Sequence, residues 1–330
     1  MKVLLYGANG WIGGQVNNIL LKGGHEVIVG NERHEKMLEQ EIIATKPTHI
    51  MSFIGRTHGS VTTVDDEGNE TCKEYTTIDY LEQPGKLVEN VRDNLFSPIV
   101  LALLAQKHNI HYTYMGTGCI FTYNDDELVN MSDRCSNSAV WVNCNETGAG
   151  TGTGAGAGEA GPEGVYKFTE DDHPNFFGSS YSTVKGYTDR LMHLFPNVLN
   201  VRIRMPITAD YNPRNFITKI LKYKKICSVQ NSMSVLPELL PIMVNMAEKR
   251  RIGTINLVNP GTISHNEILY LYKLYIDPTF TWSNFTIEEQ QKVLAAGRSN
   301  NHLDTTALEK DYDVLSIHDA ICAVLMKMRD

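Results

Sequence analysis

The chain has 330 residues, 42% of them hydrophobic and 21% charged, and a formal charge of −8. That length can bury a large core, and one compact domain with a smaller lobe is the default organisation for it. The acidic balance argues against nucleic acid or an anionic membrane as main partner, because neither is drawn to a net negative surface.

No apolar run approaches the roughly 20 residues that span a bilayer. The first apolar run is too short, and too soon broken by glycine, for a secretory signal. The six cysteines, Cys72, Cys119, Cys135, Cys144, Cys227 and Cys322, have no CxxC or other metal-ligand spacing. They predict a reduced, cytoplasmic protein with no metal centre.

In chain order, Lys2 to Tyr6 reads as a strand. Gly7, Gly10 and Gly13 follow at three-residue spacing, and Trp11 and Ile12 open an amphipathic pattern through Val16, Ile19 and Leu20 that ends at Gly23-Gly24. Strand, glycine turn and helix together predict a dinucleotide site. Bare glycines let the backbone approach a pyrophosphate, and the helix N-terminus supplies free N–H groups and the positive end of its dipole. Gly7, Gly10, Trp11, Ile12 and Gly13 are therefore the first cofactor-binding candidates. His25 to Val29 is the second strand, and Gly30-Asn31-Glu32-Arg33 follows it. Arg33 suits the 2′-phosphate of NADP(H), whereas Glu32 suits the free ribose of NAD(H) and keeps that cofactor open.

Glu35 to Thr45 is predicted helical, with Pro47 breaking the chain before a strand from His49 to Ile54. Gly55 to Gly59 is a polar loop. Ser60 to Thr76 is polar and acidic without a clear period, and reads as an extended surface loop. Leu87 to Gln106 has helical periodicity, and His111 to Met115 is a strand leading into Gly116-Thr117-Gly118-Cys119-Ile120-Phe121. Asn143 to Gly164 is glycine-rich and of low complexity. It predicts a flexible surface insertion, since it lacks the strand and the Lys-Ser/Thr of a phosphate-binding loop.

Tyr181 and Lys185 are four residues apart and share one helix face. A nearby ammonium would lower the phenol pKa, and the lysine could also hold a cofactor ribose. Leu199 to Met205 is a further strand. Helices are predicted from Asn212 through Lys219 to Tyr223, from Leu236 to Lys249 and from His265 to Tyr275, with a strand at Thr254 to Val258 and a late polar loop at Arg298 to Asn301. Alternating strands and helices predict an α/β fold of the Rossmann type, a doubly wound parallel sheet covered on both faces. Residues 1–210, returning at about 236–258, would form the cofactor domain. Residues 211–235 and 259–330 would form a smaller, discontinuous substrate lobe.

GxxGxxG, a threonine after the middle strand, and YxxxK together resemble the extended short-chain dehydrogenase/reductases. Gly10-Trp11-Ile12-Gly13-Gly14, Thr117 to Phe121, Arg204 to Ile207, Pro213 to Lys219, Ser264 to Leu269 and Arg298 to Asn301 resemble, more narrowly, the bifunctional nucleotide-rhamnose synthases. These are epimerase-reductases of UDP-4-keto-6-deoxy-glucose. The resemblance implies Cys119 as the base and Lys219 as the acid that invert carbons 3 and 5, with Lys219 or Lys185 lending the positive charge a thiolate needs. It implies NADPH as hydride donor to carbon 4, Tyr181 as proton donor, Thr117 steadying the oxygen and Lys185 orienting the ribose. Arg214 and Arg298 become candidates for the nucleotide diphosphate. Asn94 and Asn215 are candidate ligand contacts or helix caps, while His58 and His265 stay outside the catalytic set. Two alternatives remain: a 4-reductase that receives an already epimerised sugar, and a non-catalytic NADP-binding regulatory subunit. UDP or dTDP as carrier, and homodimerisation, are left open.

Overall fold

A computed structural model describes residues 1–64, 67–128 and 165–329. Its frame is a six-stranded parallel sheet built from β1 (Lys2–Tyr6), β2 (Glu26–Gly30), β3 (His49–Ser52), β6 (His111–Thr117), β8 (Val198–Ile203) and β11 (Gly253–Asn256), in the order β11-β8-β6-β3-β1-β2. Every pairing is parallel. Alternate residues feed opposite faces. Val3 and Leu5 pack with α1 (Trp11–Lys22) and the helix Leu236–Glu248, while Leu4 and Tyr6 pack with α2 (Glu35–Thr45) and the helix Ser97–Lys107. Strands buried on both faces need near-continuous apolar runs, and β1 has one. The edge strand β2 is partly exposed.

Strand order reverses about β1, so the crevice beyond the C-terminal ends of β1 and β3 is the topological switch point, where ligands bind in open α/β sheets. A separate core contains Ile207, Ile217, Ile220, Met233, Ile263, Ile268, Leu269, Ile321 and Leu325. It is formed largely by α6 (Phe216–Ile220), α8 (His265–Tyr275) and α11 (Ile317–Arg329); further helices, in chain order with them, are α3 (Leu87–Val91), α4 (Ser97–Lys107), α5 (Ser180–Met192) and α7 (Leu236–Glu248). The remaining labelled elements are the short helices α9 (Ile287–Val293) and α10 (Thr306–Glu309) and the two-residue strands β7 (Lys167–Phe168), β9 (Pro206–Ile207), β10 (Ser234–Val235) and β12 (His302–Leu303).

Two segments depart from their predicted form. The expected loop at Ser60 to Thr76 is largely an antiparallel hairpin, β4 (Gly59–Val64) with β5 (Glu70–Tyr75), registered from Gly59 against Tyr75 to Val64 against Glu70. Both strands are mostly exposed, so no apolar alternation marks them in the sequence. The helix predicted from Leu87 is interrupted by a wide π turn at Arg92–Phe96. Pro98 has no N–H to offer the Asn94 carbonyl, and the Thr188 hydroxyl donates to that carbonyl instead, at 2.7 Å. The glycine-rich insertion predicted at Asn143 to Gly164 lies outside the described residues.

At the sheet end opposite the crevice, His49 and His111 lie with ring centroids 5.3 Å apart. His49 Nε2 and His111 Nδ1 are buried without a partner. Burial lowers both pKa values, His49 to about 4, with His111, Arg250 and the N-terminal ammonium acting in the same direction on His49. Both rings are neutral in the fold, whereas an unfolded histidine titrates near 6.5. The His49 contribution is complete above pH 6.5 and is lost as pH falls from there towards 4, and His111 acts in the same direction. Melting temperature should drop across that window, and His49→Gln should flatten the drop. An equal acid sensitivity in the variant would remove this pair as its cause.

Candidate active site

A cavity of about 1340 Å³ opens at the switch point, larger than the ~300–1,000 Å³ typical of small-ligand pockets. Its floor is formed by Gly10 to Gly13, Phe53 to Gly55 and Met115 to Thr117, and its far side by residues of α6, α8 and α9.

The glycine turn forms as its spacing predicts. Gly7 has φ +82°, and a Cβ there would stand 2.9 Å from the Phe53 carbonyl carbon. A Cβ on Gly13 would stand 2.1 Å from the Gly7 carbonyl oxygen. Gly10 is the N-cap of α1, with no side-chain cap and no acidic residue in the first turn. The residues thus fit a dinucleotide pyrophosphate: the N–H groups opening α1 are uncapped, no carboxylate opposes an anion, and no side chain blocks its approach. Gly13→Ala should push α1 off β1 and weaken NADPH binding by at least tenfold, measurable by cofactor fluorescence titration. Wild-type affinity would show that this contact is not needed.

Arg33 stands apart from the other cofactor candidates. It is exposed, its guanidinium donates to the Glu32 carbonyl at 2.8 Å, and it does not line the cavity. The turn there is held by Glu41, which accepts from the Asn31 N–H and the Tyr6 hydroxyl at 3.1 and 2.6 Å.

Thr117 ends β6, and Tyr181 and Lys185 lie one turn apart on α5, whose N-cap Ser179 accepts from the Ser182 N–H at 3.0 Å. All three line the cavity, with Thr117 beside Tyr181. The predicted pKa effect is reversed. Burial raises the Tyr181 phenol well above its usual value, reinforced by the nearby Cys119. Lys185 is itself lowered to about 7 by burial, against the pull of Asp189 and Cys119. Its ammonium donates to the Tyr114 hydroxyl at 2.5 Å and to the Met115 carbonyl at 3.3 Å. Tyr181 therefore keeps its proton through neutral pH, the form required of an acid.

Cys119 sits two residues past Thr117, half-buried in the cavity wall, its N–H donating to Thr117 Oγ1 at 3.1 Å. Lys219 reaches the same cavity from α6. Burial lowers its pKa, and the charges of Arg214 and Arg298 lower it further. Arg298 lines the cavity and is paired with the Asp79 carboxylate, and it also donates to the Ala296 carbonyl at 2.8 Å. Burial works against the Asp79 anion, but the Thr77 hydroxyl, the Ala296 amide and Arg298 hold its pKa low. Arg214 is exposed at the rim and donates to His58 Nε2 at 2.8 Å, so that nitrogen carries no proton.

Neither asparagine presents a free amide. Asn94 lines the cavity, but its side chain accepts from the Arg56 N–H and donates to the Arg56 carbonyl and Asn90, pinning the loop after β3. Asn215 is fully buried outside the lining. It caps α6 through the Ile217 N–H and donates to the Thr208 and Asp210 carbonyls. Sequence reasoning missed Asp79, Tyr114 and a group of cations at the mouth, Lys222, Lys224, Lys225 and Lys292. The run Lys222 to Lys225 carried the available signal: three lysines in four residues of an acidic chain suit a polyanion.

The parallel sheet, its glycine turn and the Thr117, Tyr181, Lys185 grouping define an extended short-chain dehydrogenase/reductase. No family model matches the chain. Protein L780 of Acanthamoeba polyphaga mimivirus is 48% identical over 333 residues, covering 100% of this chain and 99% of that one. Its crystal structure, described as a UDP-rhamnose synthase, superposes with a TM-score of 0.82 at 46% identity over 99% of both chains. The bifunctional dTDP-4-dehydrorhamnose 3,5-epimerase/dTDP-4-dehydrorhamnose reductase of Arabidopsis thaliana is 36% identical over 96% of this chain and 90% of its own length. The trifunctional rhamnose enzyme RHM1 of the same plant is 38% identical over 97% of this chain, which spans 41% of that longer protein. The chain belongs to the bifunctional nucleotide-rhamnose synthase family of epimerase-reductases.

Proposed function

We propose that this protein converts UDP-4-keto-6-deoxy-D-glucose to UDP-L-rhamnose by epimerisation at carbons 3 and 5 followed by NADPH-dependent reduction at carbon 4. The observation that carries the reading is that Cys119, Lys219 and the Thr117, Tyr181, Lys185 group line one cavity. A ketone at carbon 4 acidifies the hydrogens on carbons 3 and 5, and inverting each centre takes a base to remove the proton and an acid to return one. Cys119 Sγ takes the proton, and Lys219 Nζ, its pKa brought down towards the working range by burial, returns one. Tyr181 donates its proton to the carbon-4 oxygen, which Thr117 Oγ1 steadies. Lys185 holds the ribose of the cofactor, whose pyrophosphate rests on Gly10 to Gly13. When bound, the reduced nicotinamide supplies the hydride. Arg298, Arg214 and the lysines at the mouth hold the nucleotide diphosphate, guanidinium groups matching phosphate geometry.

UDP as the carrier is supported by the L780 relative, and NADPH by the reductase activity of the family. Arg33 lends NADPH no support from its present position, and NAD(H) is the second cofactor to assay. We read residues 1–210 and 236–258 as the cofactor domain and the remainder as the substrate lobe. The exposed Leu87, Val88, Val91 and Phe96 support a homodimer. Among the described residues no helix is long and apolar enough to cross a membrane, and the cysteine usage supports a cytoplasmic setting.

The test is incubation with UDP-4-keto-6-deoxy-glucose and NADPH in deuterated water, with product analysis by mass spectrometry and NMR. Deuterium at carbons 3 and 5 and a rhamnose-configured product are expected. NADPH oxidation without incorporation would leave a plain 4-reductase, and no oxidation would leave a binding subunit.

A further inference from the structure

Arg202 lies in β8 and Arg204 just past its end, both fully buried. Arg202 is neutralised: its Nε and Nη2 donate to the two carboxylate oxygens of Asp189 at 2.9 and 2.7 Å. Arg204 is not. Its Nη1 donates to Ser299 Oγ at 2.9 Å and to the Gly118 carbonyl at 3.3 Å, and its Nη2 to Asn231 Oδ1 at 2.6 Å and to the Ser299 carbonyl at 3.0 Å. All four acceptors are uncharged, its Nε has no partner, and among the described residues no carboxylate lies within ion-pair distance. A buried cation without a counter-ion is costly, and a guanidinium cannot shed its proton to escape that cost.

The place of this charge gives it a use. A Cβ on Gly118 would stand 3.0 Å from Arg204 Cγ, so the side chain packs on the backbone of the residue preceding Cys119. The titratable groups coupled to it are Cys119, Tyr123 and His265, with Tyr181 and Lys185 beyond Cys119. Tyr123 donates its proton to the Gln230 carbonyl at 3.2 Å, and burial raises its pKa. His265 could only add positive charge, and burial followed by Arg204 keeps it neutral, its pKa near 4. Of the three, only Cys119 is free to carry the balancing negative charge. The amines expected to serve Cys119 are weaker sources, because burial lowers the proton affinity of both Lys185 and Lys219.

We propose that Arg204 is the positioning residue that supplies the fixed positive charge for the Cys119 thiolate, acting from behind the cavity wall without touching substrate. The inference rests on Cys119 being the epimerisation base.

The test is the pH dependence of Cys119 alkylation by iodoacetamide in the full chain, followed on the peptide that contains it. Asn231→Asp places a carboxylate against Arg204 in nearly the same shape and neutralises it there. We expect the alkylation midpoint to rise by about one pH unit, so that the rate at pH 7 falls several-fold to tenfold. Arg204→Lys should keep a midpoint near wild type, and Arg204→Met should shift it upward. Should Arg204→Met fail to fold, Asn231→Asp carries the test. Asn231→Asp should also slow deuterium incorporation while leaving reduction of UDP-4-keto-rhamnose near the wild-type rate, a split that a merely structural staple would not produce. A folded Asn231→Asp protein with an unchanged midpoint overturns the proposal. The underlying base assignment fails separately, if Cys119→Ser exchanges deuterium normally, while the alkylation midpoint still reports on Arg204.

Discussion

Tyr181→Phe should slow reduction at carbon 4 by roughly 10²- to 10⁴-fold, the range for loss of a positioned acid, and leave deuterium exchange at carbons 3 and 5 close to wild type. The substitution removes one hydroxyl and keeps the ring in the cavity wall. What is lost is the proton that the carbon-4 oxygen must receive. Burial holds that proton on the phenol through neutral pH, so no neighbouring group is poised to replace it. Lys185 is committed to Tyr114 and the Met115 carbonyl, and Cys119 and Lys219 reach the cavity from other elements. NADPH oxidation at 340 nm with UDP-4-keto-rhamnose reads the first effect, and isotope incorporation in the ketone pool reads the second. A variant with the full reduction rate would take Tyr181 out of the mechanism.

The parts of this molecule that could be read from its sequence are those set by local rules. The turn at Gly7 to Gly13 forms because backbone stands where a side chain would, a constraint three glycines record directly. Helix α8 spans His265–Tyr275, as its pattern predicts, and its Ser264 and Glu267 close a reciprocal capping box. Tyr181 and Lys185 share a face because helical geometry requires it. What escaped the sequence depends on partners distant along the chain. Lys185 bonds Tyr114, Arg298 bonds Asp79, and Asn94 is spent on Arg56. Arg202 in β8 has a carboxylate partner and Arg204 just past its end has none, and only tertiary contacts separate them. Arg33 holds the motif position after β2, with its guanidinium on the Glu32 carbonyl.

Cys119→Ser is expected to give the complementary result: deuterium exchange falls by roughly 10²- to 10⁴-fold, while NADPH binding and reduction of UDP-4-keto-rhamnose persist. A serine hydroxyl fits where the thiol fits, so the Cys119 N–H can keep its bond to Thr117 Oγ1 and the cavity wall is conserved. It differs in acidity: an alcohol does not ionise near neutral pH even beside a buried guanidinium, whereas a thiol does. The loss would therefore measure the anion and not the shape. Paired with Tyr181→Phe, the outcome separates two proton-handling tasks within a single cavity, one at the sulfur and one at the phenol. Exchange that continues at the wild-type rate in Cys119→Ser would assign the base elsewhere in the cavity wall and reduce Cys119 to packing.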